Sequence, residues 1–81
     1  MFTVYILRNS ITHKHYIGST NDPVRRLAEH NRGQTRSTNR KGVWQMIYTE
    51  EYPTSLEAKR RERLIKSYKG GNAFKKLIGL L

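Results

Sequence analysis

Phe2 to Arg8 (Phe-Thr-Val-Tyr-Ile-Leu-Arg) restricts what this chain can fold into more than any other stretch. Its residues are mostly β-branched, aromatic or long aliphatic, the composition of a strand. With a period of two, Phe2, Val4 and Ile6 share one face, and Thr3, Tyr5 and Leu7 the other. Both faces are substantially apolar, so the segment is expected as an interior strand covered on both sides. Asn9 to Lys14 is polar and turns the chain, and His15 to Ser19 returns as the second strand of a hairpin with a longer-than-minimal loop. Val43 to Thr49 supplies a third strand, alternating Trp44, Met46 and Tyr48 against Gln45, Ile47 and Thr49.

Between the second and third strands the boundary of a helix is written into the residues. Asp22 is a favoured N-cap, and Pro23 sits at the first helical position, where its fixed φ helps and its missing N–H costs nothing. Val24, Leu27 and Ala28 form an apolar stripe, with Arg26 roughly opposite Val24 and Ala28. Arg26 and His30 are four residues apart and share a face. The helix fades at Asn31-Arg32-Gly33, where Gly33 suits a left-handed cap. Pro53 ends the third strand, and Thr54 with Glu57 makes a capping box. The helix it opens turns Leu56, Ala58, Leu64 and Ile65 inward and carries Lys59, Arg60, Arg61, Arg63 and Lys66 elsewhere. Gly70-Gly71 breaks it, and Asn72 caps a last helix with Phe74, Leu77, Ile78 and Leu81 at helical spacing. The order is β-β-α-β-α-α. The fold class is α/β of the α+β type: a small three-stranded antiparallel sheet flanked by helices, one domain over residues 1–81.

At 81 residues a single core is only marginally sufficient, and with no cysteine neither a disulfide nor a thiolate–zinc site can staple it. The 16 Lys and Arg against 6 Asp and Glu give a formal charge of +10, which exceeds what solubility needs and implies an acidic partner. Nucleic acid leads, with DNA first. No apolar run approaches a membrane span or a signal segment, so a cytoplasmic location is expected. Gln34 to Gly42 has no hydrophobic period, and its Arg36, Arg40 and Lys41, with neighbouring hydroxyls, suit phosphate contacts. For any one of them taken singly, a solvated connector is the safer reading.

Glu62 is anomalous in lying at the edge of its helix's apolar stripe, close in angle to Ala58 and Ile65. A carboxylate there needs compensation. Two readings stay open: a Mg²⁺ ligand, or an ion pair with a nearby Arg or Lys. Arg26 alone reads as a solvated cation, His30 as a charge at a helix end, and Tyr5 and Tyr16 as ordinary strand residues. Their combination is what points to chemistry.

That combination resembles the GIY-YIG nuclease family. The second half of the family's name stands literally as Tyr16-Ile17-Gly18, and Thr3-Val4-Tyr5 occupies the place of Gly-Ile-Tyr. Arg26-x-x-x-His30-Asn31 matches the next motif, the Glu62 helix the one after, and the element order is similar across almost the whole chain. Ser-Thr-Asn-Asp after Gly18, and Ile65 to Gly71, look like the short single-domain bacterial branch. The resemblance implies a metal-dependent endonuclease hydrolysing phosphodiester bonds, in repair or recombination. Tyr5 would activate or orient the attacking water, with Tyr16 beside it. Arg26 would neutralise charge on the phosphoryl oxygens, and His30 would support the site. Glu62 would hold a single Mg²⁺, with Mn²⁺ as the alternative. Lys66 joins Arg36, Arg40 and Lys41 as nucleic-acid contacts, and Asn72 stands near a late asparagine of several members. Thr3 departs from the motif's first glycine. The lack of a second domain implies weak or protein-partner-dependent activity. The alternative is a non-catalytic nucleic-acid-binding module that kept the fold.

Overall fold

β1 (Phe2–Asn9) lies in the middle of the sheet, between β2 (His15–Thr20) and β3 (Trp44–Tyr52), and both pairings are antiparallel. α1 (Pro23–Asn31) follows β2, and α2 (Ser55–Ser67) and α3 (Asn72–Leu77) follow β3, the order that the sequence predicts. These elements come from a computed structural model that describes residues 1–32 and 43–79. Gly33, Arg36, Arg40, Lys41 and Leu81 fall outside the described residues.

The central strand is covered on both sides, as its composition demands: Val4, Ile6 and Leu7 are 0% exposed and Tyr5 1%. Val4 and Ile6 join Ala58 and Ile65 of α2 and Phe74 of α3 in one cluster. Tyr5 and Leu7 join Trp44 in the other, with Tyr16, Met46 and Leu27 of α1 packed against it. α1 and the α2–α3 pair therefore lie on opposite faces of the sheet.

β3 departs from its predicted alternation. Ile6 pairs with Tyr48 but Leu7 pairs with Met46, so Ile47 is an extra residue and the strand is bulged there. The bulge moves Tyr48 off the face that Trp44 and Met46 share. Trp44 and Met46 belong to the α1 side, whereas Tyr48 and Tyr52 pack with the α2–α3 cluster.

Two helix stripes also differ from expectation. Val24 is 80% exposed, and α1 instead buries His30 and half-buries Arg26 and Leu27. Val24 lies about 120° around the helix from His30, so the two cannot both face the sheet. Leu56 and Leu64 are likewise exposed, and α2 turns Ala58, Arg61, Glu62 and Ile65 toward the sheet. Leu56 stands about 160° from Ala58, off the stripe that the i, i+3, i+4, i+7 spacing of those four defines.

The caps follow the sequence except at α3. Asp22 accepts from the Arg25 N–H at 3.1 Å, and the Thr54 hydroxyl accepts from the Glu57 N–H at 3.3 Å. Asn72, however, is the first residue of α3, and Gly71 holds the cap position with no side-chain bond. The side-chain amide of Asn31, at the end of α1, accepts from the Trp44 N–H at 2.7 Å and donates to the Trp44 carbonyl at 3.2 Å. Asn31 thereby pins the start of β3 to the end of α1.

Candidate active site

The sheet register sets the site. Tyr5 pairs with Gly18 and Leu7 with Tyr16, which puts both tyrosines on the α1 side of β1 and β2. Their rings stack with centroids 6.3 Å apart and planes 23° from parallel. His30 reaches in from the last turn of α1, its ring 4.6 Å from that of Tyr16 and 6.2 Å from that of Tyr5. Gly18 makes room for the cluster. A Cβ there would fall 2.6 Å from the Tyr5 hydroxyl oxygen and 3.2 Å from a ring carbon of Tyr16. The third letter of Tyr16-Ile17-Gly18 is thus a steric requirement of Tyr5, eleven residues upstream of Tyr16.

The Tyr5 hydroxyl lies 3.3 Å from His30 Nε2. The guanidinium of Arg26 also hydrogen-bonds this oxygen, and arginine can only donate. Tyr5 therefore accepts from Arg26, and it shares a second hydrogen bond with His30 Nε2 whose direction is set by the imidazole tautomer. Burial lowers the His30 pKa, and the nearby Arg26 charge lowers it further, so the imidazole is neutral. Burial raises the Tyr5 pKa, and the Arg26 hydrogen bond only offsets part of that rise. Desolvation outweighs the nearby cation, and Tyr5 is a neutral phenol. Arg26 is held by Tyr5 and by Glu29, whose Oε1 accepts from it at 3.1 Å. Tyr16 and Arg26 are half-buried, whereas Tyr5 and His30 are almost wholly buried. The open side of the cluster is therefore Tyr16 and Arg26.

Glu62 approaches from the other face of the sheet, on α2. Ser19, next to Gly18 and paired with Val4, points to that face, and its hydroxyl donates to Glu62 Oε1 at 2.7 Å. Lys66 donates to Oε2 at 2.7 Å. Glu62 is thus tied to β2 one residue away from the glycine that Tyr5 covers, and its charge acts on Tyr5. Burial raises the Glu62 pKa, but bonds from Lys66 and Ser19 and the charges of Lys66 and Lys59 outweigh it, so the carboxylate is ionised. With Lys59, Arg63 and Lys66 it lines a groove of about 290 Å³, in which the tyrosines take no part. Of the two sequence readings of Glu62, the ion pair is present, with Lys66, and the carboxylate stands beside a cationic groove.

Among the described residues no three His, Cys, Asp or Glu side chains gather as a metal cage. One carboxylate at a groove wall fits Mg²⁺, which keeps waters and phosphate oxygens as its other ligands. No helix among the described residues is long and apolar enough to cross a membrane.

Sequence reading missed Ser19, Glu29 and a second carboxylate, Glu50. Glu50 accepts from Arg61 Nε at 2.8 Å and from a second Arg61 nitrogen at 3.0 Å, and from the hydroxyls of Tyr48 and Tyr52. Burial raises its pKa, but these four donors together bring it down to about 2. Arg61 precedes Glu62, so this network fixes α2 next to the candidate metal ligand. Glu50 was hidden because only the bulge at Ile47 turns it toward α2. For Ser19 a signal existed, its place directly after the literal motif.

The model of the GIY-YIG catalytic domain matches residues 1–75. Over 53 residues, 58% of this chain, the sequence is 45% identical to the structure-specific endonuclease subunit SLX1 of Chaetomium globosum. The match spans 16% of that protein's length. A solution NMR structure of the UPF0213 protein BH0048 from Bacillus halodurans is similar with a TM-score of 0.61 and 29% identity, over 99% of this chain and 85% of that one.

Proposed function

The chain belongs to the GIY-YIG catalytic-domain family, and from that premise we propose that it is a Mg²⁺-dependent endonuclease hydrolysing phosphodiester bonds, with DNA as substrate and a role in repair or recombination. The observation that carries the reading is the grouping of Tyr5, Tyr16, Arg26 and His30 around Gly18, with Glu62 tied to the adjacent Ser19. The similarity to SLX1, a structure-specific endonuclease subunit, favours DNA of branched or otherwise irregular structure as the first substrate to try.

The residues divide the work by exposure. Tyr16 and Arg26, on the open side, meet the substrate: the phenol orients the attacking water and the guanidinium neutralises charge on the phosphoryl oxygens. Tyr5 stands behind them, holding Arg26 and His30 through its hydroxyl. A neutral phenol is a poor base near neutrality, so the proton from water needs a better acceptor. His30, kept neutral by burial, is that acceptor, reached through Tyr5: in the tautomer with Nε2 bare, the phenol passes its proton to Nε2 and takes the water's proton in its place. Glu62 would hold the divalent cation, which when bound would add charge neutralisation at the phosphate and stabilise the leaving oxygen. Lys59, Arg63 and Lys66 attract the flanking phosphates into the groove.

The test is Mg²⁺-dependent cleavage of supercoiled, single-stranded and branched DNA by the wild type and by Glu62→Gln and Arg26→Ala. Arg26→Ala is expected to slow cleavage by about 10²–10³, the typical cost of losing one transition-state donor. Glu62→Gln is expected to abolish the Mg²⁺ stimulation while leaving DNA binding intact. A wild type that binds DNA but cleaves none of the three substrates with Mg²⁺ or Mn²⁺ would instead establish the binding-module alternative.

A further inference from the structure

Both oxygens of Glu62 are engaged by this chain's own groups, Oε1 by the Ser19 hydroxyl and Oε2 by Lys66 Nζ, each at 2.7 Å. We propose that Lys66 competes with the divalent cation for Glu62 Oε2 and thereby sets how tightly the protein takes up metal. The inference rests on Glu62 being the metal ligand.

The two contacts differ in kind. Ser19 brings a neutral donor from β2, which orients the carboxylate and leaves lone pairs open on both oxygens. Lys66 brings a full positive charge to the oxygen it binds, and an ammonium and a divalent cation at one carboxylate repel each other. Lys66 is the partner able to give way: its side chain is 54% exposed, against 19% for Glu62, and it sits on a flexible four-carbon stem. Swung off Glu62, it remains on the wall of the groove with Lys59 and Arg63, where a phosphate oxygen offers it another partner. The same lysine can then serve the carboxylate before substrate arrives and the phosphate afterwards. Lys59 supplies the comparison, because it acts on Glu62 through its charge, whereas Lys66 adds a hydrogen bond.

Binding of Mn²⁺ to the nucleic-acid-free protein, read from the electron paramagnetic resonance of the free ion, tests this without any cleavage. The proteins are the wild type, Lys66→Met, Lys66→Gln, Lys59→Met and Glu62→Gln. Both Lys66 variants are expected to bind Mn²⁺ about two- to fivefold more tightly, the range that an exposed ion pair commands. Lys59→Met should shift the affinity by clearly less. Equal gains from Lys59→Met and Lys66→Met would mean that only the general field of the groove acts, and would overturn the competition. So would Lys66 variants with unchanged or weaker Mn²⁺ binding, provided Glu62→Gln loses it. If Glu62→Gln binds Mn²⁺ as the wild type does, the metal-ligand reading itself falls, and this inference with it.

Discussion

Gly18→Ala isolates the steric demand that links the two halves of the site. The backbone at Gly18 is not left-handed, so alanine can adopt it, and any cost comes from space alone. The added Cβ would lie 2.6 Å from the Tyr5 oxygen and 2.8 Å from the ring carbon bearing it, about 0.8 Å short of the 3.4 Å where ordinary contact begins. Tyr5 has nowhere simple to go: it is 1% exposed, stacked on Tyr16 and bonded to His30. Overpacking of a well-filled core costs about 1–3 kcal/mol. Loss of the Tyr5–His30 bond adds about 0.5–1.5 kcal/mol. Replacing glycine by alanine in a strand returns about 0.5–1 kcal/mol. The net is a destabilisation of about 1–3 kcal/mol, which in a domain of this size lowers Tm by about 5–20 °C. The assay is thermal unfolding followed by circular dichroism, with Mg²⁺-dependent cleavage measured well below Tm. Cleavage should fall too, since displacing Tyr5 releases both Arg26 and His30. Tyr5→Phe in the Gly18→Ala background removes the nearest clashing atom, so the double variant should lose less than the two singles combined, by about 0.5–1 kcal/mol. A Gly18→Ala protein with wild-type Tm and unmoved Tyr5 and His30 resonances would refute the argument.

Three further outcomes follow from the same contacts. Glu50→Gln leaves the half-buried Arg61 without its anionic partner, and a loss of about 1–3 kcal/mol by denaturant unfolding is expected, with Mg²⁺ stimulation weakened because Glu62 is the next residue; unchanged stability would show that the network holds nothing. Stability should fall on acidification in two stages. His30 and His15 have pKa values below 6.5 in the folded protein, so the unfolded chain takes up protons first and stability, complete above about pH 6.5, declines below it. Glu50, at about 2 against an ordinary 4.5, adds a second loss of about 3 kcal/mol between those values. A Tm that rises from about pH 7 to 5 would contradict the histidine stage, and His30→Gln should flatten it. DNA affinity should drop steeply with salt, and replacing Lys59 or Arg63 by Gln should each reduce the slope of log affinity against log salt by about 1; a flat salt dependence would point to a different partner.

What this sequence determined by itself is what depends on near neighbours along the chain. Asp22 and Pro23 start a helix because the groups they satisfy or spare lie within one turn, and Thr54 with Glu57 does the same for the next. The doubly apolar β1 could only be an interior strand, since exposing either face would leave its aromatic and aliphatic side chains in water. The Tyr16-Ile17-Gly18 motif and the Arg26–His30 spacing were legible for the same reason. The tertiary structure decided which of several apolar or charged stripes turned inward, because that choice depends on partners distant in sequence. Val24, Leu56 and Leu64 had the chemistry of core residues but stand at helix angles that the sheet does not meet. Arg26 and His30 had the chemistry of a surface and went inward, because the Tyr5 hydroxyl, 25 residues from His30, gives them a buried partner. One extra residue at Ile47 redirected Tyr48, Glu50 and Tyr52 toward α2, and no alternation pattern reveals an insertion relative to a partner strand. The same limit applies to Glu62. Its inward lean was visible from helical spacing, but the Ser19 hydroxyl that holds it lies 43 residues away, and only the folded sheet brings the two together.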